Sequence, residues 1–436
     1  MKVEAEKIRE KVFFKTFGCQ MNMYDSQVIQ SILEERGFTT VDDSSEADII
    51  IVNGCSIRKH AEDRAINWIH KFSSMKDKRI AVIGCLAQNL QNDLHEMVEG
   101  IDIICGPDNY TELADIISSR DSGVTLPGRD HMVTYSLAEN FDPSRYSGFV
   151  SITRGCENFC SYCVVPYLRG KLRSKDPGAV VEEVGRLARR GCREITLLGQ
   201  NVLAYRYEDK GFTELLKMLL EGTDLERIRF LTSHPRDVTL DLFRLMRDHP
   251  RICPHIHLPL QSGSDRILKL MRRGYTARQY LSLLEQARKI LPDLAVTTDI
   301  IVGFPSETED DFKRTLEAVS ESRFDSAFTF KYSPREGTSS WRFPDSVSAE
   351  TKKERLSRLN DLVREIRLDI LKGLLGKSFK ILLDGTVERG ENQYFKGRTP
   401  HFRNVLLDRA EVKEGDIVNV TLDKLENFTF TGKYRR

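Results

Sequence analysis

At 436 residues, 40% of them hydrophobic, the chain is long enough for two or three domains, each with its own core. A mean hydropathy of −0.39, no apolar run near the ~20 residues of a membrane helix, and a polar Met1–Lys7 start argue against a membrane-spanning or exported chain. The formal charge of +1 is silent about nucleic acid, but nine cysteines in a chain expected to stay in the cytoplasm point to metal or redox use rather than disulfides.

Residues 11–120 read as alternating strands and helices. Val12–Thr16 runs into Gly18-Cys19, Asp48–Val52 into Gly54-Cys55, and Ile80–Ile83 into Gly84-Cys85, with helical patterns over Ser26–Arg36 and Ala61–Phe72 between them. Continuous apolar strands of this kind are buried on both faces, as in a doubly wound parallel sheet. Such sheets bind ligands beyond the carboxyl ends of their strands, where Cys19, Cys55 and Cys85 all fall. A three-thiolate site is expected there, the alternative being three unrelated buried cysteines. Cys105 also ends a strand-like run and is read, with Cys192 and Cys253, as a packed cysteine. Residues 121–148, polar and punctuated by Gly, Pro and Ser, read as a linker.

A second series of βα units begins at Phe149. Strands are predicted at Phe149–Thr153, Glu194–Leu198, Ile228–Thr232, His255–Leu260, Ala295–Val302 and Ala327–Tyr332. Helices are predicted at Val180–Arg190, Thr213–Leu220, Leu240–Arg247, Tyr280–Ile290 and Asp310–Ser320. Six units predict an open, three-quarter TIM barrel rather than a closed one of eight, with function at its carboxyl face. Directly after the first strand, Cys156, Cys160 and Cys163 stand at a CxxxCxxC spacing. Three clustered thiolates suit one soft metal centre. They are one short of the four that close a structural zinc or a four-iron cluster, so a cluster held here keeps one iron open. A zinc site completed by a distant Cys or His is the alternative. Arg169, Lys171, Arg173 and Lys175 follow closely, as a phosphate-facing loop or as a solvated basic one.

Residues 348–375 form one long helical pattern striped with Leu356, Leu359, Leu362 and Ile366, which suits a core-packing helix. A β-rich unit follows, with runs at Phe379–Leu383, Val405–Leu407, Ile417–Leu422 and Phe428–Thr431, as in a small OB-like barrel. Residues 371–436 carry 13 Lys+Arg against 9 Asp+Glu. Tyr394, Phe395, Lys396, Arg398, His401, Phe402 and Arg403 interleave aromatic and basic side chains, as single-stranded RNA binders do.

These motifs together resemble the radical S-adenosylmethionine (SAM) methylthiotransferases, most closely the MiaB-type tRNA enzymes, over nearly the whole chain. The resemblance rests on Gly18-Cys19-Gln20-Met21-Asn22 with Asp25-Ser26, on Asn53–Arg58, and on Gly84-Cys85. It continues through the Cys156–Cys163 triad with Val164–Gly170, Leu197–Val202, Leu258–Asp265 and Lys396-Gly397-Arg398-Thr399. Gly54 stands where many such proteins carry Thr, and is expected to loosen its turn. The domains implied are 10–126 for an auxiliary cluster, 142–372 for the radical SAM core and 375–436 for a TRAM RNA-binding module.

The resemblance implies two 4Fe–4S clusters, one on Cys156, Cys160 and Cys163 and an auxiliary one on Cys19, Cys55 and Cys85. It implies SAM contacts from Tyr162, Gln200, Asn201, Ser233, Gln261 and Asp299, although strand-end polar groups of this kind also cap helices. RNA contacts are implied for Arg169, Lys171, Arg173, Lys396, Arg398, Phe402 and Arg403. The activity implied is methylthiolation of carbon 2 of N6-isopentenyladenosine beside the tRNA anticodon. The chain is expected to act as a monomer, served by an electron donor such as flavodoxin or ferredoxin. Threonylcarbamoyl-adenosine, a ribosomal protein, or a non-catalytic iron–sulfur RNA-binding role are the alternatives. A side-chain base cannot substitute an aromatic C–H, so the cofactors must carry the chemistry.

Overall fold

The computed structural model describes residues 10–57, 59–91, 93–128, 146–390, 392–408 and 411–434. Arg58, most of the expected linker and the first residues of the expected 142–372 domain lie outside them.

Six strands, β1 (Lys11–Thr16), β2 (Thr39–Val41), β3 (Ile49–Gly54), β4 (Arg79–Gly84), β5 (Ile103–Cys105) and β6 (Val124–Leu126), form a parallel sheet in the order β2-β1-β3-β4-β5-β6. Helices α1 (Gln20–Glu35), α2 (Lys59–Ser73), α3 (Cys85–Leu90), α4 (Asp93–Met97) and α5 (Tyr110–Ser119) alternate with them. α1 and α5 cover one face and α2 to α4 the other, which is why Ile49–Val52 is apolar without alternation and wholly buried. β6 falls inside the stretch read as linker; three half-buried residues are too few to show a period.

The central unit opens with β7 (Ser147–Ser151) and a short antiparallel pair, β8 (Thr153–Arg154) and β9 (Arg173–Ser174), which brackets α6 (Val165–Arg169). Then come α7 (Pro177–Arg189), β10 (Glu194–Leu198), the small pair β11 (Arg206–Tyr207) and β12 (Lys210–Gly211), α8 (Phe212–Gly222), β13 (Arg227–Phe230) and α9 (Leu240–Asp248). β14 (His255–His257), α10 (Asp265–Leu270), α11 (Ala277–Ile290), β15 (Ala295–Val302), α12 (Glu309–Ser322), β16 (Ser326–Lys331) and the long α13 (Ala349–Lys372) complete it. Helix starts follow their capping residues: Thr276 and Gln279 cap each other reciprocally on α11, as do Thr308 and Asp311 on α12.

The strands β7-β10-β13 and β14-β15-β16 are parallel, and the Ile228–Ile252 bridge joins the two triplets into one arc. Among the described residues no pairing joins β16 back to β7, so the arc is the open six-unit barrel the sequence predicts. Phe149, Leu198 and Leu231 of this arc pack into the same apolar cluster as Met21, Tyr24, Val28 and Tyr110. The first two units thus share a core. Among the described residues no helix is long and apolar enough to cross a membrane.

The C-terminal strands β17 (Ser378–Arg389), β18 (Asn392–Arg398), β19 (Asn404–Leu407), β20 (Ile417–Glu426) and β21 (Thr429–Tyr434) close into a barrel in the order β17-β18-β19-β21-β20. β18 is a strand the sequence does not announce, because its aromatic and basic residues read as a binding loop. The barrel is docked at the amino-terminal ends of the arc's strands, where β13 and β14 begin. Arg227 donates to the carbonyls of Arg398 (3.0 Å) and Lys380 (2.8 Å), and Arg229 to those of Pro400 (2.6 Å) and Thr399 (2.8 Å). His401 meets Asp293 at 3.1 Å.

His255 lies under this joint, stacked on Phe402 at 5.3 Å. Burial, helped by Arg229, depresses its imidazole well below the ordinary histidine value. The unfolded histidine takes up a proton as pH falls through ~6.5 while the folded one stays neutral, so stability is full above that value and lost below it. The urea midpoint of the full chain is expected to be lower at pH 5 than at pH 7, and the difference to shrink in His255→Phe.

Candidate iron–sulfur and cofactor site

The order β2-β1-β3-β4-β5 places a topological switch point between β1 and β3, where a crevice opens beyond the strand ends. Cys19 caps α1 just after β1, Cys55 follows β3, and Cys85 is the first residue of α3 after β4. The three ligand candidates therefore stand on three adjacent strands. Gly18 makes this convergence possible. Its φ of +106° is a backbone setting that side chains disfavour, and a Cβ there would fall 2.3 Å from Cys55 Cβ. Gly54 corrects an expectation: a Cβ on it would fall 2.5 Å from Leu86 Cβ, so the glycine lets Leu86 close tightly over the turn rather than loosening it.

Cys156, Cys160 and Cys163 occupy the loop after β8, and all nine cysteines are free thiols. Burial pushes the Cys55 thiol up to about 12, with Cys85 and Cys19 adding to the rise; Cys163 is likewise pushed to about 12 by burial and then by Cys160. Each triad is thus a group of mutually repelling sulfurs whose ionised form needs a cationic centre. Three thiols per site are one short of the four ligands that close a structural zinc tetrahedron. The donor set, all thiol and three per site, fits an iron–sulfur cluster.

The segments that carry the two triads are joined by buried charge. Arg154, just before the Cys156 loop, donates to Asp25 at 2.8 Å and to Asp108 at 2.7 Å. Arg169, just after it, donates to Asp25 at 2.9 Å, to Asn22 at 3.2 Å and to the Cys85 sulfur at 3.1 Å. Burial alone would raise the Asp25 carboxyl, but the two guanidinium groups overcome it and hold it below the ordinary range. Arg169 is therefore corrected: it is buried inside the joint and does not face RNA. Arg173 is drawn in as well, donating to Asp108 at 3.1 Å and to the Arg169 carbonyl at 2.7 Å.

Beyond the Cys156 triad, several strand-end side chains are fixed by hydrogen bonds. Gln200 Oε1 accepts from the Gly155 amide at 2.6 Å, which fixes the loop entry. The Asn201 amide donates to Asp237, and Asp299 faces His257 at 3.3 Å. Tyr162 packs among Ile267, Met271, Phe304 and Tyr332. Asn201 Oδ1, Ser233 Oγ, His234 Nε2 and Gln261 Oε1 are buried without a hydrogen-bond partner among the described residues. Groups left so carry a cost of about 1–3 kcal/mol each, which a polar ligand would repay. Burial, with Arg273 and Arg236 beside it, lowers His234 to about 2, so its ring is a neutral donor or acceptor at physiological pH.

Arg273 was not foreseen. Its buried guanidinium donates to the Cys160 sulfur at 3.2 Å, to the Pro259 carbonyl at 3.1 Å and to Tyr275 Oη at 3.0 Å. In sequence it is half of an Arg-Arg pair before a glycine, which reads as surface. Exposed Met23, Ile57, Phe159 and Tyr167 each lie within four residues of a triad cysteine, and the last two rings meet edge to face at 6.1 Å.

The RNA candidates divide. Lys171 and Lys396 are exposed. Arg398 reaches Asp384 at 3.2 Å and lies over Phe402 at 4.9 Å. Phe402 is held between that group, Arg229 and His255, and Arg403 is paired with Asp325, so both serve the barrel joint. Cys105 is buried, its thiol donating to the Gly106 carbonyl at 3.4 Å.

Residues 150–319 match the radical SAM superfamily, and residues 11–106 match a family described as uncharacterized protein family UPF0004. The chain is 40% identical to the tRNA-2-methylthio-N(6)-dimethylallyladenosine synthase of Phocaeicola vulgatus over 97% of this chain and 96% of that protein. It is 40% identical to the synthase of Syntrophus aciditrophicus over 95% and 92%. A radical S-adenosylmethionine methyltransferase, TsrM, from Kitasatospora setae, solved with cobalamin and a [4Fe-4S] cluster bound, shares the fold: TM-score 0.55 at 15% identity, over 74% of this chain and 72% of that one. The cobalamin-dependent S-adenosylmethionine radical enzyme OxsB aligns at TM-score 0.52 and 12% identity, over 82% and 56%.

Removing Asp25 leaves Arg169 with no carboxylate partner and Arg154 with Asp108 alone, and Asp25→Ala is expected to cost about 3–5 kcal/mol, read as a lowered denaturation midpoint. Gly18→Ala is expected to displace Cys55 and lower the iron retained after reconstitution, leaving the visible absorption of the Cys156 site in place.

Proposed function

The chain belongs to the tRNA-2-methylthio-N(6)-dimethylallyladenosine synthase family, and on that footing we propose that it adds a methylthio group to carbon 2 of N6-isopentenyladenosine beside the anticodon of tRNA. The observation that supports this reading is the tie between the two triad-bearing segments: the one leaving Cys163 ends in Arg169, whose Nε lies 3.1 Å from the sulfur of Cys85. A radical source and a sulfur site within one joint suit a reaction that breaks a C–H bond and makes a C–S bond at one carbon.

Cys156, Cys160 and Cys163 would hold the radical SAM cluster, and Cys19, Cys55 and Cys85 the auxiliary one. Bound there, the first supplies the electron that cleaves SAM to a hydrogen-abstracting radical, and the second supplies the sulfur to be methylated and inserted. The chain's own residues bind and orient. Asn201, Ser233, His234 and Gln261 offer SAM their unsatisfied polar atoms, Tyr162 flanks the adenine side, and Gln200 holds the cluster loop through Gly155. Asp299 remains a further SAM candidate, oriented by His257. Arg273 fixes Cys160 from behind. The exposed, touching rings of Phe159 and Tyr167 supply an apolar surface suited to a dimethylallyl group.

In this reading the closed C-terminal barrel is a TRAM module, with Lys396 and Arg398 toward RNA phosphates and Lys171 doing the same near the loop. A tRNA substrate places the enzyme in the cytoplasm, acting as a monomer with an electron donor such as flavodoxin or ferredoxin.

Nucleoside mass analysis of tRNA tests the assignment: a strain lacking this protein should accumulate N6-isopentenyladenosine and lose its methylthio derivative. Loss of a different methylthio base would reject it. In vitro, Cys85→Ala is expected to still release 5′-deoxyadenosine from SAM while methylthio product falls to background; surviving sulfur insertion would remove the auxiliary role.

A further inference from the structure

Helix α6 links the two thiol triads without belonging to either. It starts two residues after Cys163 and ends at Arg169. Val164 and Leu168 form a small apolar cluster with Cys85, so the stretch from Val164 to Arg169 closes over that side chain. Arg169 completes the enclosure, with Nε on the sulfur at 3.1 Å, Nη1 on Asp25 at 2.9 Å and Nη2 on Asn22 at 3.2 Å. Asp25 and Asn22 belong to the helix that begins beside Cys19, so one guanidinium ties together the segments carrying Cys19 and Cys85. The fork holds Nε on the sulfur because its other nitrogens are spoken for. Asp25 divides its charge between Arg169 and Arg154 and so does not cancel Arg169 alone.

We propose that Arg169 is a positioning residue for the N-terminal cluster: reaching over from the radical domain, it holds Cys85 in ligand geometry and raises the reduction potential of the cluster bound there. A donated N–H···S bond and a buried cation draw negative charge from a thiolate and favour the reduced cluster, two of the levers on iron–sulfur potentials. The inference rests on the reading that Cys19, Cys55 and Cys85 hold a cluster, and it makes the sulfur site sensitive to the placement of the radical loop.

The test uses the full-length chain with Cys156, Cys160 and Cys163 changed to Ala, reconstituted with iron and sulfide so that one cluster remains, and titrated by electron paramagnetic resonance. Arg169→Lys keeps the charge and the Asp25 pair but loses the fork; it is expected to retain iron and show a more negative midpoint. Arg169→Met is expected to shift the midpoint further. In a chain lacking Cys19, Cys55 and Cys85, Arg169→Lys should leave the other cluster's midpoint where it was. An unmoved midpoint in Arg169→Lys, with or without a lowered melting temperature, would reduce Arg169 to a domain tie and overturn the inference. An equal shift at both clusters would mark a general field effect and overturn it too. A parent chain that takes up no iron–sulfur chromophore removes the cluster reading itself, and the inference with it.

Discussion

The joint between the first two domains turns on one buried carboxylate. Asp25 accepts from Arg154 and Arg169, the residues that enter and leave the Cys156–Cys163 loop. Neither partner tolerates the loss of the other, because an unpaired charge in this interior costs several kcal/mol. The loop that carries the second triad is therefore registered on the helix that begins at the first. Apolar packing adds area to the joint through Phe149, Leu198 and Leu231 against α1 and α5, and the charge network adds directional contacts. A hydrophobic contact slides; two guanidinium groups, each donating to its own oxygen of one buried carboxylate, do not.

That registration turns two ordinary βα architectures into one site. A switch-point crevice in the N-terminal sheet and the carboxyl face of an open barrel are each common places for ligands. Here they face each other, with Arg169 donating to Cys85 and Arg273 to Cys160. Each triad has one sulfur held by a buried arginine from outside its own loop. Asn201, Ser233, His234 and Gln261 each keep a buried polar atom without a partner among the described residues.

The C-terminal barrel is fastened by different means. Arg227 and Arg229 alternate along β13, keep Glu194 between them, and donate to four barrel carbonyls. Backbone acceptors are insensitive to which side chains the barrel presents, so its outer surface stays available for binding. Phe402 and Arg403, which looked like part of that surface, instead fill the joint.

The sequence by itself determined the periodic and the local. Glu194–Leu198 and Ala295–Val302 form strands over the same residues that alternation and apolar runs predict, and the three Gly-Cys pairs lie at strand ends, Gly18 and Gly84 in a left-handed turn and Gly54 under Leu86. Those signals are short-range and survive in a one-dimensional reading. What only the tertiary structure decided is the fate of charge. Arg169, Arg173, Arg273 and Arg403 look alike in sequence to Lys171 and Lys396, since a guanidinium reads as solvated until its counter-ion is found. The partners are remote: Asp25 lies 144 residues from Arg169, and Cys160 lies 113 from Arg273. Ion pairs carry no period, and folding alone brings their two halves together.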